Sequence, residues 1–252
     1  MKITIRSNIG KRRSSNQDYA DYYVNQSDQY LFILCDGVGG HQAGDVASRM
    51  TTDYIGAKFK ETAAITTTDD MQQWFNDIVN EVNQHIYQQS TENTHLIGMG
   101  TTLVMAVVVK EHIIVSHVGD SRAYVYFEGQ LKQITEDHSL INELIRTGEI
   151  TEAEGQVHPG RNIVTQSIGG SNQVESEINV IPLTEVEVLM LCSDGLTNMV
   201  NQEELSTIFD NQRNEENFGE QLIEAANEAG GADNITVVLV SDWNPTSVEE
   251  GE

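Results

Sequence analysis

Two apolar runs, TLVMAVVV at 102–109 and HIIVSHV at 112–118, are separated only by Lys110-Glu111. A two-residue connection can reverse a chain, but it cannot carry it over a sheet face to a parallel neighbour. This part of the chain is therefore committed to antiparallel sheet. Gly119-Asp120 leads into another run at 123–127, and Glu128-Gly129 follows that run, so the same reasoning predicts successive hairpins here. Further β-branched or alternating runs at 2–6, 30–35, 176–182, 186–192 and 235–241 add strands.

Helical spacing is clearest where Met71, Trp74, Phe75, Ile78, Val79, Val82 and Ile86 recur, which predicts a helix over 69–89 with Asp69 or Asp70 capping its start. A second helix is expected from near Ala43, with Val46, Ala47, Met50, Tyr54 and Ile55 on one face, and others at 139–147, 202–209 and 217–229. Antiparallel sheets with amphipathic helices between them pack with the helices outside. The 252 residues are 38% hydrophobic, enough to bury a sizeable core. With no Pro/Gly/Ser-rich linker, one domain is expected over 1–243, followed by an acidic, flexible tail at 244–252.

Charge narrows the partners. Lys and Arg number 14 against 39 Asp and Glu, a net charge of −25 that repels nucleic acid and anionic membrane surfaces. The start, MKITIRSNIGKRR, carries no apolar leader and no run reaches membrane-spanning length, so a cytoplasmic protein without membrane insertion is expected. Cys35 and Cys192 lie in apolar strands without zinc-ligand spacing and read as buried free thiols.

Acidic residues interrupt the apolar pattern at recurrent places: Asp36-Gly37 after LFILC, Asp120 after VSHVG, Asp194-Gly195 after VLMLCS, and Asp233-Asn234 before ITVVLV. Carboxylates held at the ends of buried strands are a common way to gather hard divalent cations. Singly, Asp36, Asp194 and Asp233 read first as turn or cap residues, and Asp120 reads equally well as a hairpin-turn acid with Arg122 as its surface partner. Arg13 offers a guanidinium fork suited to phosphate oxygens, and Asp18 opens a polar extended segment. The glycines at 37, 39 and 40 invite comparison with a nucleotide-binding loop, but no GK[ST] follows and Asp36 would repel a phosphate.

Taken together, RRSSNQD, CDGVGGHQAGDVAS, GMGTTLV, VGDSRAY, ITEDHSL, RNIVTQSIG, LCSDGLTNMV and GGADNITVVLV follow one another in order from Arg13 to Val240. In these segments the chain resembles the bacterial branch of the metal-dependent serine/threonine protein phosphatases, the PPM or type 2C family. The resemblance implies an α+β fold, a four-layer α-β-β-α sandwich of two antiparallel sheets flanked by helices. It implies two Mn²⁺ or Mg²⁺ ions held by Asp36, the Gly37 carbonyl, Asp194 and Asp233, with a third ion at Asp120 and Asp194. It assigns Asp18 to orienting water and Arg13 to the substrate phosphate. A hydroxide shared by two cations would attack the phosphorus of phosphoserine or phosphothreonine in partner proteins. Those partners would include the targets of a cognate bacterial Ser/Thr kinase, and the enzyme would act as a monomer.

The sequence departs from the animal pattern DGHGG, having Val38 where the proposed general-acid histidine stands. His41 is the nearest substitute as proton donor, with helix capping as its alternative role, whereas His117 and His138 read as structural. Gln17 stands where many members carry Glu, and 139–166 matches the family's flap, with His158 near its end. Two other classes fit the same fold: a non-catalytic phosphoprotein-binding module, and a phosphatase of small esters.

Overall fold

The computed structural model describes residues 1–38 and 43–243. In chain order it contains β1 (Lys2–Asn8), β2 (Asp18–Val24), β3 (Tyr30–Val38), α1 (Gly44–Lys60), α2 (Thr68–Glu92), β4 (Gly100–Thr101), β5 (Leu103–Val109) and β6 (His112–Val118). There follow β7 (Arg122–Phe127), β8 (Gln130–Gln133), α3 (Leu140–Arg146), α4 (Glu152–Gln156) and β9 (Glu177–Pro182). The last elements are β10 (Val188–Cys192), α5 (Asp194–Thr197), α6 (Gln202–Gln212), α7 (Phe218–Glu228) and β11 (Ile235–Ser241).

Two antiparallel sheets result, one ordered β1-β11-β10-β7-β8 and the other β2-β3-β5-β6-β9, with β4 added alongside β3. Their strands are apolar at consecutive positions because both faces are covered. Phe32, Leu34, Val104, Ala106 and Val115 point from one sheet into the middle layer, where they meet Ala123, Val125, Leu189, Leu191, Val238 and Val240 of the other. The alternate residues Leu31, Ile33 and Cys35 pack outward against Ile55 and Phe59 of α1 and Phe75, Ile78 and Val82 of α2. On the far side Tyr124, Met190, Val237 and Leu239 pack against Phe209 of α6 and Leu222 and Ala226 of α7. The chain is thus the expected four-layer sandwich, and Cys35 and Cys192 are buried free thiols.

The Lys110-Glu111 connection is the hairpin turn its length required, with Lys110 at φ 52°. Gly119-Asp120 is not. β6 pairs with β5 and β9 while β7 pairs with β10 and β8, so this turn carries the chain between the sheets. Sequence distance alone cannot separate these cases, since both need a tight reversal. Gly119 serves the crossing with φ +104°, where a Cβ would lie 2.7 Å from Thr102 Cγ2.

At α2 the cap is the Thr67 side chain, which accepts from the Asp70 amide, while Asp69 and Asp70 sit in the first turn. The helix begins at Thr68, one residue before the expected start and three before the apolar stripe opens at Met71, because a hydroxyl cap needs no apolar neighbour. The strands β2 and β8 were not marked by apolar runs. β2 is an outer strand of its sheet, so its sequence DYADYYV carries no continuous apolar stretch. The tail 244–252 and residues 39–42, His41 among them, lie outside the described residues.

Candidate active site

The ladder registers bring the acids to one end of the sandwich. Asp18 opens β2 directly opposite Asp36 of β3. Cys192 pairs with Val237 on one side and Arg122 on the other, which sets the exit of β10, the entry of β11 and the entry of β7 side by side. Asp194, Asp233 and Asp120 stand just beyond those three strand ends. Residues 18, 36, 120, 194 and 233, scattered along the chain, therefore come within electrostatic range of one another.

Polar backbone and side-chain contacts fix four of these acids. The Ser193 hydroxyl donates to Asp18 Oδ2 at 2.8 Å and accepts from the Thr236 amide at 2.9 Å. Asn198 Nδ2 donates to Asp194 Oδ2 at 2.9 Å, and the Asn234 amide donates to Asp233 Oδ1 at 2.8 Å. Asp36 is held through its backbone: its amide donates to Thr102 Oγ1, and its carbonyl accepts from the Thr102 amide and Thr101 Oγ1. Arg13 Nη2 reaches Asp233 Oδ2 at 2.5 Å from the loop between β1 and β2. That loop is tied down by Asn234, whose Oδ1 accepts from the Gln17 amide and whose Nδ2 donates to the carbonyls of Ile9 and Ser15. The Gln17 carbonyl in turn accepts from the Gly37 amide at 3.1 Å and from Ser48 Oγ at 2.6 Å. A Cβ at position 37 would lie 2.3 Å from the Gly44 carbonyl oxygen, so only glycine fits between strand and helix.

The electrostatics are those of crowded, buried carboxylates. Desolvation raises Asp18 to about 6, with Asp194 and Asp233 adding to the rise and the hydroxyls of Thr236 and Ser193 opposing it. Desolvation and then Asp233 raise Asp194 to about 6 against a hydrogen bond with Asp36, and desolvation and then Asp194 raise Asp120 to about 7. Asp36 is pushed well above the ordinary carboxylate range, first by desolvation and then by Asp18, Asp194, Asp120 and Asp233. Asp18 Oδ1 and Asp194 Oδ1 are buried without a hydrogen-bond partner. Orphaned oxygens within a cluster of mutually repelling carboxylates match the ligand chemistry of Mg²⁺ or Mn²⁺.

Sequence reading named the acids but not their supports. Ser193, Asn234 and Thr102 carried a faint signal, each being a polar residue set beside an apolar strand and next to an acid or a tight turn. Arg122 is not a surface partner of Asp120. It forms a two-pronged pair with Asp137, Nε to Oδ1 at 2.8 Å and Nη2 to Oδ2 at 2.7 Å, with the carboxylate side chain only 12% exposed. The carboxylate at 137 competes better because, from the segment joining β8 to α3, it meets the guanidinium with both oxygens at once.

An α-β-β-α sandwich with clustered carboxylates at one end defines a class of cation-dependent hydrolase. Residues 7–239 match the family model described as Protein phosphatase 2C, and the chain belongs to that family. It is 40% identical over 240 residues to the serine/threonine phosphatase stp of Listeria welshimeri, covering 95% of each chain. Identity to the protein phosphatase PhpP of Streptococcus pneumoniae is 39% over 241 residues, 96% of this chain and 97% of the relative. Among solved structures, the serine/threonine phosphatase Stp1 of Staphylococcus aureus superposes with a TM-score of 0.91 at 35% identity, covering 96% of this chain and 95% of that one. The serine/threonine phosphatase PstP/Ppp of Mycobacterium tuberculosis superposes with a TM-score of 0.80 at 31% identity, covering 94% and 97%.

Proposed function

We propose that this chain hydrolyses phosphoserine and phosphothreonine monoesters on proteins with the help of bound Mn²⁺ or Mg²⁺. One observation carries the reading: Asp18, Asp36, Asp120, Asp194 and Asp233 meet at one end of the sandwich, two of them with unpartnered buried oxygens, beside Arg13. Asp36, the Gly37 carbonyl, Asp194 and Asp233 would hold two cations, and Asp120 with Asp194 a third. When bound, such cations acidify an attacking water and offset the charge of the phosphate dianion.

The chain's own residues do the remainder. Asp18 keeps one oxygen on the Ser193 hydroxyl and leaves the other free to accept a proton from the attacking water. Arg13 is half exposed, and its pairing with Asp233 shows that the guanidinium reaches the acid cluster. With cations on Asp233, that fork would turn to the equatorial phosphate oxygens, where charge accumulates in the transition state. The Asn234 staple keeps Arg13 at that distance.

Stp and PhpP are phosphatases by name, and 39–40% identity over nearly the whole of each chain supports the same reaction here. We assign the substrates to proteins phosphorylated by a bacterial Ser/Thr kinase. The test compares manganese-dependent phosphate release from phosphothreonine and phosphotyrosine peptides, with Asp36→Asn as control. Release from phosphothreonine that is lost in the variant is expected. Equal rates on the two peptides would overturn the Ser/Thr assignment, and no release from either would favour a phosphoprotein-binding role.

A further inference from the structure

Behind Asp120 lies a second polar cluster that the proposed chemistry does not use. Residues 136–138 meet residues 117–122 through three separate contacts. His117 Nε2 donates to the Glu136 carbonyl at 2.7 Å, Asp137 takes the guanidinium of Arg122, and the Gly119 amide donates to His138 Nδ1 at 3.3 Å. The backbone repeats the last contact in reverse, since the His138 amide donates to the Gly119 carbonyl at 2.9 Å. Both polar groups of the residue before Asp120 are thereby committed to His138.

Ligand-capable atoms of His117, His138 and Glu177 lie within 4.8 Å of one another, a spacing that a metal ion could use. The tautomers favour another reading. A carbonyl only accepts, so His117 carries its proton on Nε2 and presents the Nδ1 lone pair, and burial lowers its pKa and keeps it neutral. His138 accepts at Nδ1, so its proton is on Nε2, which faces Glu177 Oε1 at 3.5 Å with the His117 ring centred 4.7 Å from its own. A protonated Nε2 is no ligand atom, so in this tautomer the trio does not chelate a cation; His138 Nε2 and His117 Nδ1 have no hydrogen-bond partner among the described residues. The His138 ring is held instead by the Gly119 amide at Nδ1 and by packing on the His117 ring, and this ties the ring to the position of Gly119.

On the other side, Ser121 Oγ and Thr102 Oγ1 share a hydrogen bond of 2.7 Å, and Thr102 holds the backbone of Asp36. The His138 carbonyl accepts from the Thr165 amide at 2.8 Å, and Ser139 bridges Val164, so the same residue reaches the 139–166 flap segment. Gly119 at positive φ has no side chain of its own to hold the turn.

We infer that residues 136–138 are a clamp that aims Asp120 at the acid cluster, with His138 as its positioning residue through the Gly119 amide. This rests on the reading of Asp120 as a cation ligand. The contrast of His138→Asn with His138→Gln tests it, because the Asn oxygen falls near Nδ1 and keeps the Gly119 contact, whereas the Gln oxygen falls near Nε2 and loses it. Mn²⁺ bound per chain by equilibrium dialysis, and the Mn²⁺ dependence of phosphate release, are measured for each variant, alone and with Asp120→Asn. His138→Gln should weaken the Asp120-dependent Mn²⁺ by about tenfold, as loss of a residue supporting a ligand does. His138→Asn should stay within about twofold of the parent, and His138→Gln should add nothing once Asp120 is gone. Equal effects of Asn and Gln, an unchanged Mn²⁺ titration, or an undiminished Gln effect without Asp120 would each overturn the clamp. A parent protein that binds Mn²⁺ normally but releases no phosphate would sink the functional reading alone, because dialysis still reports on the clamp.

Discussion

Asp18 and Asp36 stand directly opposite each other across the β2–β3 ladder, each in a strand whose remaining cross-strand pairs are neutral or set an acid against Ile33. Facing like charges destabilise a sheet unless a counter-charge lies between them. The pair lies within the carboxylate cluster to which we assign the cations, and a bound cation would supply that counter-charge.

Asp36→Asn is therefore expected to separate stability from activity. Without divalent cations the variant should gain about 1 kcal/mol, or roughly 2–4 °C in midpoint. Phosphate release should fall by about a thousandfold, since a cation's share of the barrier is several kcal/mol. Thermal scans in chelator and assays in Mn²⁺ check the two halves; a variant less stable than the parent would contradict the first.

The raised carboxylates also fix the sign of a pH dependence. Asp18 and Asp194 rise from 3.8 to about 6 and Asp120 to about 7 in the folded protein, so the native state binds their protons more tightly than the unfolded chain. Their contribution is fully present below pH 3.8 and is lost as pH rises through about 6 to 7. The cation-free protein should therefore lose melting temperature across that window, Asp120→Asn should flatten its upper part, and saturating Mn²⁺ should suppress it. A cation-free midpoint that climbs with pH would refute the scheme.

Arg13→Ala removes the fork that we assign to the substrate phosphate. Charge-assisted hydrogen bonds contribute about 1.5–3 kcal/mol, so kcat/KM should fall roughly 10- to 100-fold. Arg13→Lys should recover only part of this, because a point charge cannot bind two oxygens side by side. Unfolding midpoints should hardly move, as the side chain is 49% exposed.

Asn234→Ala tests the staple. Three contacts are lost, to Gln17, Ile9 and Ser15, and the backbone groups they served are left with poorer partners. A loss of about 2 kcal/mol in urea unfolding is expected. Faster amide exchange over residues 9–17 and reduced kcat/KM should accompany it. Exchange unchanged in that loop would show that Asn234 does not hold Arg13 in place.

Burial pushes both Cys35 and Cys192 up to about 12. Neither thiol should react with a disulfide reagent in the native protein at neutral pH, and both should react once denaturant opens the sandwich. Reaction under native conditions would place a thiol at the surface.

The sequence by itself determined the antiparallel pairing across Lys110-Glu111 and Glu128-Gly129, because connections that short cannot reach a parallel neighbour, and the covering helices, because their apolar stripes need a sheet to lie on. The motifs also marked the acids, since a carboxylate beside an unbroken apolar run is costly unless it serves a purpose. Only the tertiary structure decided that Gly119-Asp120 crosses between sheets rather than closing a hairpin. It alone paired Arg122 with Asp137, placed Asn234 under the Arg13 loop, and set His138 against Gly119. Each of those outcomes depends on which strand ends stack at the same edge of the sandwich. That stacking follows from ladder registers between residues far apart along the chain, and local residue patterns hold no record of it.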